Sequence, residues 1–229
     1  MLEQFNTSTV LFLNDILRHH YFLTRVVQGL ADNAFARGAP VFIPLLVIWF
    51  SDEKRRGRIL SGLIGVCLAT GGSVIVQRFL HIGTRPFLDP NLHLYLLNGE
   101  FADNWYHSNS FPSDTAALFF SLSTVVFLQW RAAGLVAYTW SLLINVCRMA
   151  IGFHYPTDVL AGIALGVGVV YLFSDIPRLT DFLQGFMERS KSRMPWINAL
   201  LAMFIADAYT LFLASRGFVH FAQLLLARH

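Results

Sequence analysis

Six stretches of this chain, at 35–50, 58–80, 114–130, 132–151, 157–176 and 196–215, are apolar over much of the length, roughly 20 residues, that a helix needs to cross a hydrocarbon layer. A chain of 229 residues with that many runs has too little polar surface to cover them in water, and the bilayer becomes part of its solvent. The composition agrees: 55% of residues are hydrophobic, only 14% are charged, and the mean hydropathy is +0.52. Within lipid every backbone N–H and C=O must find its partner inside the protein, which runs of this length achieve as helices. The expected fold is therefore all-α, a polytopic membrane helix bundle of about six transmembrane helices forming one domain over 1–229.

The first thirty residues differ from the rest. Apolar patches there are interrupted by Asn14, Asp15, Arg18, His19, His20 and Arg25, which are costly inside lipid, and the stretch reads as an amphipathic interfacial helix. It has neither a basic leading region nor a small-residue cleavage site, so it does not read as a cleaved signal peptide.

Lysine and arginine cluster in three connections: Lys54, Arg55, Arg56 and Arg58; then Arg131; then Arg178, Arg189, Lys191 and Arg193. The positive-inside rule places these on the cytoplasmic side. The 81–112 connection and the turn carrying His154 then share the opposite face. The same bias accounts for the net charge of +3, which leaves no reason to invoke nucleic acid as a partner. Cys67 and Cys147 both fall inside apolar runs, as small core residues do, and no metal-binding or nucleotide-binding motif is present. Gly62, Gly65, Gly71 and Gly72 in the second run, with Gly162, Gly166 and Gly168 in the fifth, suit close helix packing.

Chemistry concentrates in three clusters on the expected outer face. The first holds Arg78 and Arg85, about two helical turns apart, with Pro86 ending or turning the segment. The second is Ser110-Phe111-Pro112-Ser113-Asp114-Thr115, where Ser113 is a good N-cap for the third run and leaves helix N–H groups available to an anion. The third places Arg148, His154 and Asp158 in the pattern R-x5-H-x3-D, a cation followed by an imidazole and a carboxylate able to hold it. Guanidinium forks match phosphate oxygens in geometry and charge, so three arginines beside a helix N-terminus point to a phosphate ester as substrate.

These clusters resemble, in order, the three motifs of the type 2 phosphatidic acid phosphatase superfamily, which also contains undecaprenyl-diphosphate phosphatases and vanadium haloperoxidases. The family pattern is K-x6-R-P, P-S-G-H and S-R-x5-H-x3-D. The chain matches it at Arg85, Pro86, Pro112, Ser113, Arg148, His154 and Asp158, and the span layout of 35–176 is similar too. The 196–215 span extends past that core. Arg78 stands for the family lysine and Cys147 for the serine before Arg148, while Asp114-Thr115 stands for Gly-His. The last change removes the residue that serves the family as general acid.

The resemblance implies in-line attack by His154 on phosphorus, a phosphohistidine intermediate, and Asp158 hydrogen-bonded to the other ring nitrogen. It implies phosphate binding by Arg78, Arg85, Arg148 and Ser113, with no metal and no cofactor. Losing a general acid typically costs about 10²- to 10⁴-fold in rate, and least where the leaving group is itself a phosphate of low pKa. A polyprenyl diphosphate such as undecaprenyl diphosphate is therefore the expected substrate. Asp114, or His81 or His107 in the outer connection, are the candidates to replace the lost acid at Thr115. Tyr95, Phe101, Trp105 and Tyr106 in that connection read as interfacial anchors or as a wall guiding a lipid tail. The implied setting is a bacterial inner membrane with the site facing the periplasm or exterior and membrane lipids as surroundings. Two alternatives stand beside hydrolysis: a phosphotransferase that passes the same phosphoryl group to a second lipid, and a catalytically silent lipid-binding member, which Thr115 favours.

Overall fold

The computed structural model describes residues 1–80, 83–95 and 109–209. Nine α-helices are present among them: α1 (Leu2–His19), α2 (Tyr21–Asp32), α3 (Ala34–Ser51), α4 (Arg56–Phe79), α5 (Asp114–Gln129), α6 (Arg131–Ala150), α7 (Pro156–Ser174), α8 (Pro177–Arg189) and α9 (Met194–Tyr209). No strand occurs among the described residues, in keeping with an all-α membrane bundle.

Each of the six apolar runs is helical over its described residues, but they differ in reach. Glu53–Phe79, Arg131–Ala150 and Pro156–Ser174 are long and apolar enough to cross a membrane alone, and α2 with α3, bent by 54°, makes a fourth span if the two count as one. Helix α5 is apolar yet has only 16 residues, about 24 Å at ~1.5 Å per residue, short of a hydrocarbon layer of about 30 Å. It is the hub instead. Packed by α3, α4, α6 and α7, it is buried on every side from Asp114 to Val126. Its Leu118, Phe119, Leu122 and Val125 join Val41, Leu45 and Trp49 of α3 and Ile59, Leu63 and Val66 of α4 in the main core. Helix α9 packs against α3, where the Trp49 indole donates to Asn198 Oδ1 at 2.9 Å; the remainder of the 196–215 run lies outside the described residues.

The amphipathic segment expected at the N-terminus is two helices. His20 takes an extended backbone (φ −125°, ψ 88°) that ends α1, and the Thr24 hydroxyl donates at 2.6 Å to the Leu17 carbonyl left over at the break. Helix α1 lies against α6 and α7 with Val10, Asn14 and Leu17 buried, while Leu2, Phe5 and Phe12 stay exposed.

Chain direction sorts the two ends of the bundle. α4 and α6 finish where α5 and α7 begin, and this end carries all three sequence clusters. At the far end the Arg55 guanidinium donates to the Gln129 carbonyl, and the Gly57 N–H donates to Gln184 Oε1 of α8 at 2.9 Å. The three cation-rich connections thus gather together, opposite the clusters.

Candidate active site

Small residues let the second cluster reach the third. A Cβ added to Gly162 on α7 would sit 2.4 Å from the Ser113 carbonyl oxygen, and one on Gly166 would sit 2.5 Å from that of Ala117, so α5 and α7 cross at backbone contact. The Ser113 N–H donates to the Asp158 carbonyl at 2.9 Å across this crossing. On the other side the Pro112 carbonyl accepts from Gln77 Nε2 at 2.6 Å and from the Ser73 hydroxyl at 3.2 Å, fixing the second cluster to α4. Gly152, at φ +82°, turns the chain between α6 and α7 as residues with a side chain rarely do, and its carbonyl takes the Phe87 N–H at 3.0 Å. The first cluster is thereby joined to the third.

His154 has no solvent exposure. Its Nδ1 lies 3.0 Å from the Ser110 carbonyl oxygen, which can only accept, so Nδ1 carries the proton and Nε2 presents its lone pair. Nε2 has no hydrogen-bond partner among the described residues; Asp114 Oδ1 is 4.0 Å from it. Burial, then the guanidiniums of Arg148 and Arg85, pull the imidazole well below the ordinary histidine value, with Asp114 and the Ser110 carbonyl opposing. The neutral form of the ring is accordingly favoured.

The expectation that Asp158 would hydrogen-bond this ring is corrected. Its Oδ2 stands 4.0 Å from Nδ1 and instead accepts the Tyr155 N–H at 2.8 Å, closing the first turn of α7. Its charge is near the imidazole, but the orienting bond comes from Ser110.

Arg85 and Arg148, 1% and 7% exposed, flank the Phe153 ring, with guanidinium carbons 5.8 and 4.7 Å from its centroid. Arg85 also donates to the Phe153 carbonyl at 3.2 Å. Contact with one aromatic ring holds two like charges beside the same imidazole. Arg78 behaves differently: it is exposed on the last turn of α4 and makes no hydrogen bond or ion pair to the other site residues among those described. Ser113 caps α5, its hydroxyl accepting from the Ala116 N–H at 3.2 Å. Asp114 Oδ1 accepts the Thr115 N–H at 2.8 Å, and the buried Thr115 hydroxyl lies 3.4 Å from the same oxygen. His81, Phe101, Trp105, Tyr106 and His107 lie outside the described residues. No cluster of His, Cys, Asp or Glu suited to a metal ion is found among the described residues.

Residues 58–180 match the PAP2 superfamily, a span that takes in every motif residue from Arg78 to Asp158. The chain belongs to the PAP2 superfamily. It is thereby a membrane lipid phosphatase by class. Among its relatives, the bacitracin transport permease protein BcrC of Bacillus licheniformis is 30% identical over 181 residues, covering 78% of this chain and 84% of that protein. The undecaprenyl-diphosphatase BcrC of Bacillus subtilis (strain 168) is 25% identical over 180 residues, covering 77% and 84%. The lipid A 1-phosphatase of Rhizobium etli is 37% identical over 60 residues, a quarter of each chain. No solved structure matches.

Five contributors to the site went unassigned in the sequence. The Ser110 carbonyl and the Phe153 ring sit inside the quoted motifs, but a carbonyl has no side-chain signature and a phenylalanine between a glycine and a histidine reads as filler. Gln77 adjoins Arg78, and its place on α4 one residue before an arginine pair was the available signal. Asn6 and Asn14 lie far outside the family segment.

Proposed function

We propose that this protein releases phosphate from a polyprenyl diphosphate through a phosphohistidine on His154, on the outer face of a bacterial inner membrane. The observation that carries the reading is the His154 imidazole: neutral, buried, held in one tautomer by Ser110, with Nε2 free of hydrogen-bond partners among the described residues and the guanidiniums of Arg148 and Arg85 near enough to act on the ring. Nε2 attacks the terminal phosphorus, the bond to the bridging oxygen breaks, and that oxygen leaves with the electron pair as a lipid monophosphate. Water then attacks the phosphohistidine, releasing inorganic phosphate and restoring the ring. The guanidiniums of Arg85 and Arg148, with Arg78 swinging in from the rim and the Ser113 turn below, stabilise the charge on the phosphoryl oxygens.

The diphosphate follows from Thr115. A threonine hydroxyl is far too weak an acid to protonate a departing alkoxide, whereas a leaving phosphate needs little help. The name of the Bacillus subtilis relative supports the same substrate class. Asp114, with Oδ1 4.0 Å from Nε2, is the candidate proton source among the described residues, beside His81 and His107 of the outer connection. The outer-face assignment follows from the cation-rich end lying opposite the site.

The test is phosphate release by purified protein in detergent without added metal, comparing undecaprenyl diphosphate with phosphatidic acid, with His154→Ala as control. Preferential release from the diphosphate, abolished in the variant, is expected. Transfer of label from the diphosphate to a second lipid, with no free phosphate, would make the protein a phosphotransferase, and lipid binding without either would make it the silent member that Thr115 suggests.

A further inference from the structure

The loop at 151–155 that carries His154 is held at both stems by one helix outside the family segment. At the end of α6 the carbonyls of Cys147, Arg148 and Met149 receive the N–H groups of Ile151, Phe153 and Gly152 at 2.9–3.1 Å. The Ala150 carbonyl receives Asn14 Nδ2 of α1 at 2.9 Å. At the start of α7, Pro156 has no N–H to satisfy and Asp158 donates to the Tyr155 carbonyl at 3.0 Å. The Thr157 N–H goes to Asn6 Oδ1 at 3.2 Å, and Asn6 Nδ2 returns a bond to the Thr157 hydroxyl at 2.8 Å. The end groups that a helix cannot satisfy itself are thus taken by two asparagines eight residues apart on α1, about 12 Å along its axis.

The same helix grips the segment that carries Arg85. Asn14, 3% exposed, accepts the Tyr95 N–H at 2.7 Å and donates to the Tyr95 carbonyl at 3.1 Å, while Arg18 donates to the His93 carbonyl at 3.0 Å. A buried asparagine with bonds to α6 and to the 83–95 segment ties the arginine and the histidine to a common support.

We propose that α1 is a strap across the active site and that Asn6 and Asn14 are positioning residues for His154 and Arg85. Neither touches the reacting atoms. Each fixes a stem of the loop that does, and displacement by about 1 Å suffices to cost about 10²-fold in rate. The proposal rests on reading His154 as the nucleophile.

The experiment uses the full-length protein in detergent with undecaprenyl diphosphate as substrate and inorganic vanadate as a mimic of the phosphoryl group in flight. Asn6→Ala and Asn14→Ala are expected to lower kcat by about 10- to 100-fold with KM changed by less than about threefold, and to weaken vanadate binding in proportion. Asn6→Asp keeps the acceptor for Thr157 and places a negative charge at the start of α7, so it is expected to stay within about threefold of wild type. Unchanged kcat in both alanine variants would overturn the proposal, as would losses that merely follow the fraction of unfolded protein or an Asn6→Asp variant as poor as Asn6→Ala. If the wild type releases no phosphate, the proposed function fails on its own, and vanadate affinity across the same variants still decides the strap.

Discussion

Asp114 occupies ground that the substrate's charge must enter. Its Oδ1 is 4.0 Å from His154 Nε2, and a phosphoryl group poised for attack brings its phosphorus to about 3–3.5 Å from that nitrogen. Carboxylate and phosphate oxygens then become neighbours in a site where Asp114 is only 5% exposed. Two unit charges about 4 Å apart repel by roughly 4 kcal/mol at an effective dielectric of about 20, equivalent to about a thousandfold in affinity. A bound phosphate is therefore expected to favour the protonated carboxyl, which would then have a proton to give the leaving oxygen. Asp114→Asn keeps the shape and the oxygen that accepts the Thr115 N–H while removing both charge and proton. Vanadate is expected to inhibit the variant about 10- to 1000-fold more tightly near neutral pH. Hydrolysis of phosphatidic acid is expected to fall by about 10²- to 10⁴-fold, and that of undecaprenyl diphosphate by about tenfold or less. In the wild type, vanadate affinity should weaken as pH rises, and the variant should lose this dependence. Equal vanadate affinity and equal turnover of both substrates in the two proteins would refute the reasoning.

His154 is pulled well below the ordinary value of about 6.5, so in acid the unfolded chain takes up a proton that the folded one refuses. Stability is then full above about pH 6.5 and declines below it by up to about 1.4 kcal/mol per pH unit, a slope that denaturant melts should find reduced in His154→Gln. Arg85→Ala, which removes a buried guanidinium at the nucleophile, should cost about 10²- to 10³-fold in kcat, whereas Arg78→Ala on the exposed rim should cost far less; steady-state kinetics of the pair decide between a two-arginine and a three-arginine clamp. Gly162→Ala has to push the Ser113 carbonyl away and should destabilise by about 1–3 kcal/mol with a matching loss of activity, while Gly168→Ala, whose added Cβ meets nothing within 4 Å, should be within about 0.5 kcal/mol of wild type.

The helices and the convergence of the motifs were legible because both follow from local rules. An apolar run of fixed length dictates a helix in lipid, and the alternation of chain direction puts the C-terminal ends of α4 and α6 beside the N-terminal ends of α5 and α7. Depth was not legible. The run at 114–130 looks like its neighbours, yet Ser113 caps it and Trp130, extended at φ −148°, ends it after 16 residues, so α5 becomes the buried hub. Neither was the partner of His154 Nδ1. The R-x5-H-x3-D spacing suggests that the carboxylate reaches back to the ring, but Pro156 opens α7 between them, and Asp158 caps that helix through Tyr155 while the Ser110 backbone takes the imidazole.

The N-terminal segment is amphipathic as its sequence reads, yet polarity alone does not say what its polar side chains bind. Asn14 and Arg18 look expensive in an apolar neighbourhood, and an interfacial helix is the economical reading when each is considered as a group in search of water. A polar side chain is equally content with carbonyls and N–H groups that have lost their own partners, and helix ends supply those in quantity. Four helix ends and an irregular segment meet at the end of the bundle that carries His154, so the structure most in need of outside hydrogen bonds is the one that has to be held most rigidly. Residues 58–180 match the family and include the motif residues, but the bonds that complete the loop's stems arrive from Asn6 and Asn14. The catalytic unit of this protein therefore begins at α1, some fifty residues before the family segment does.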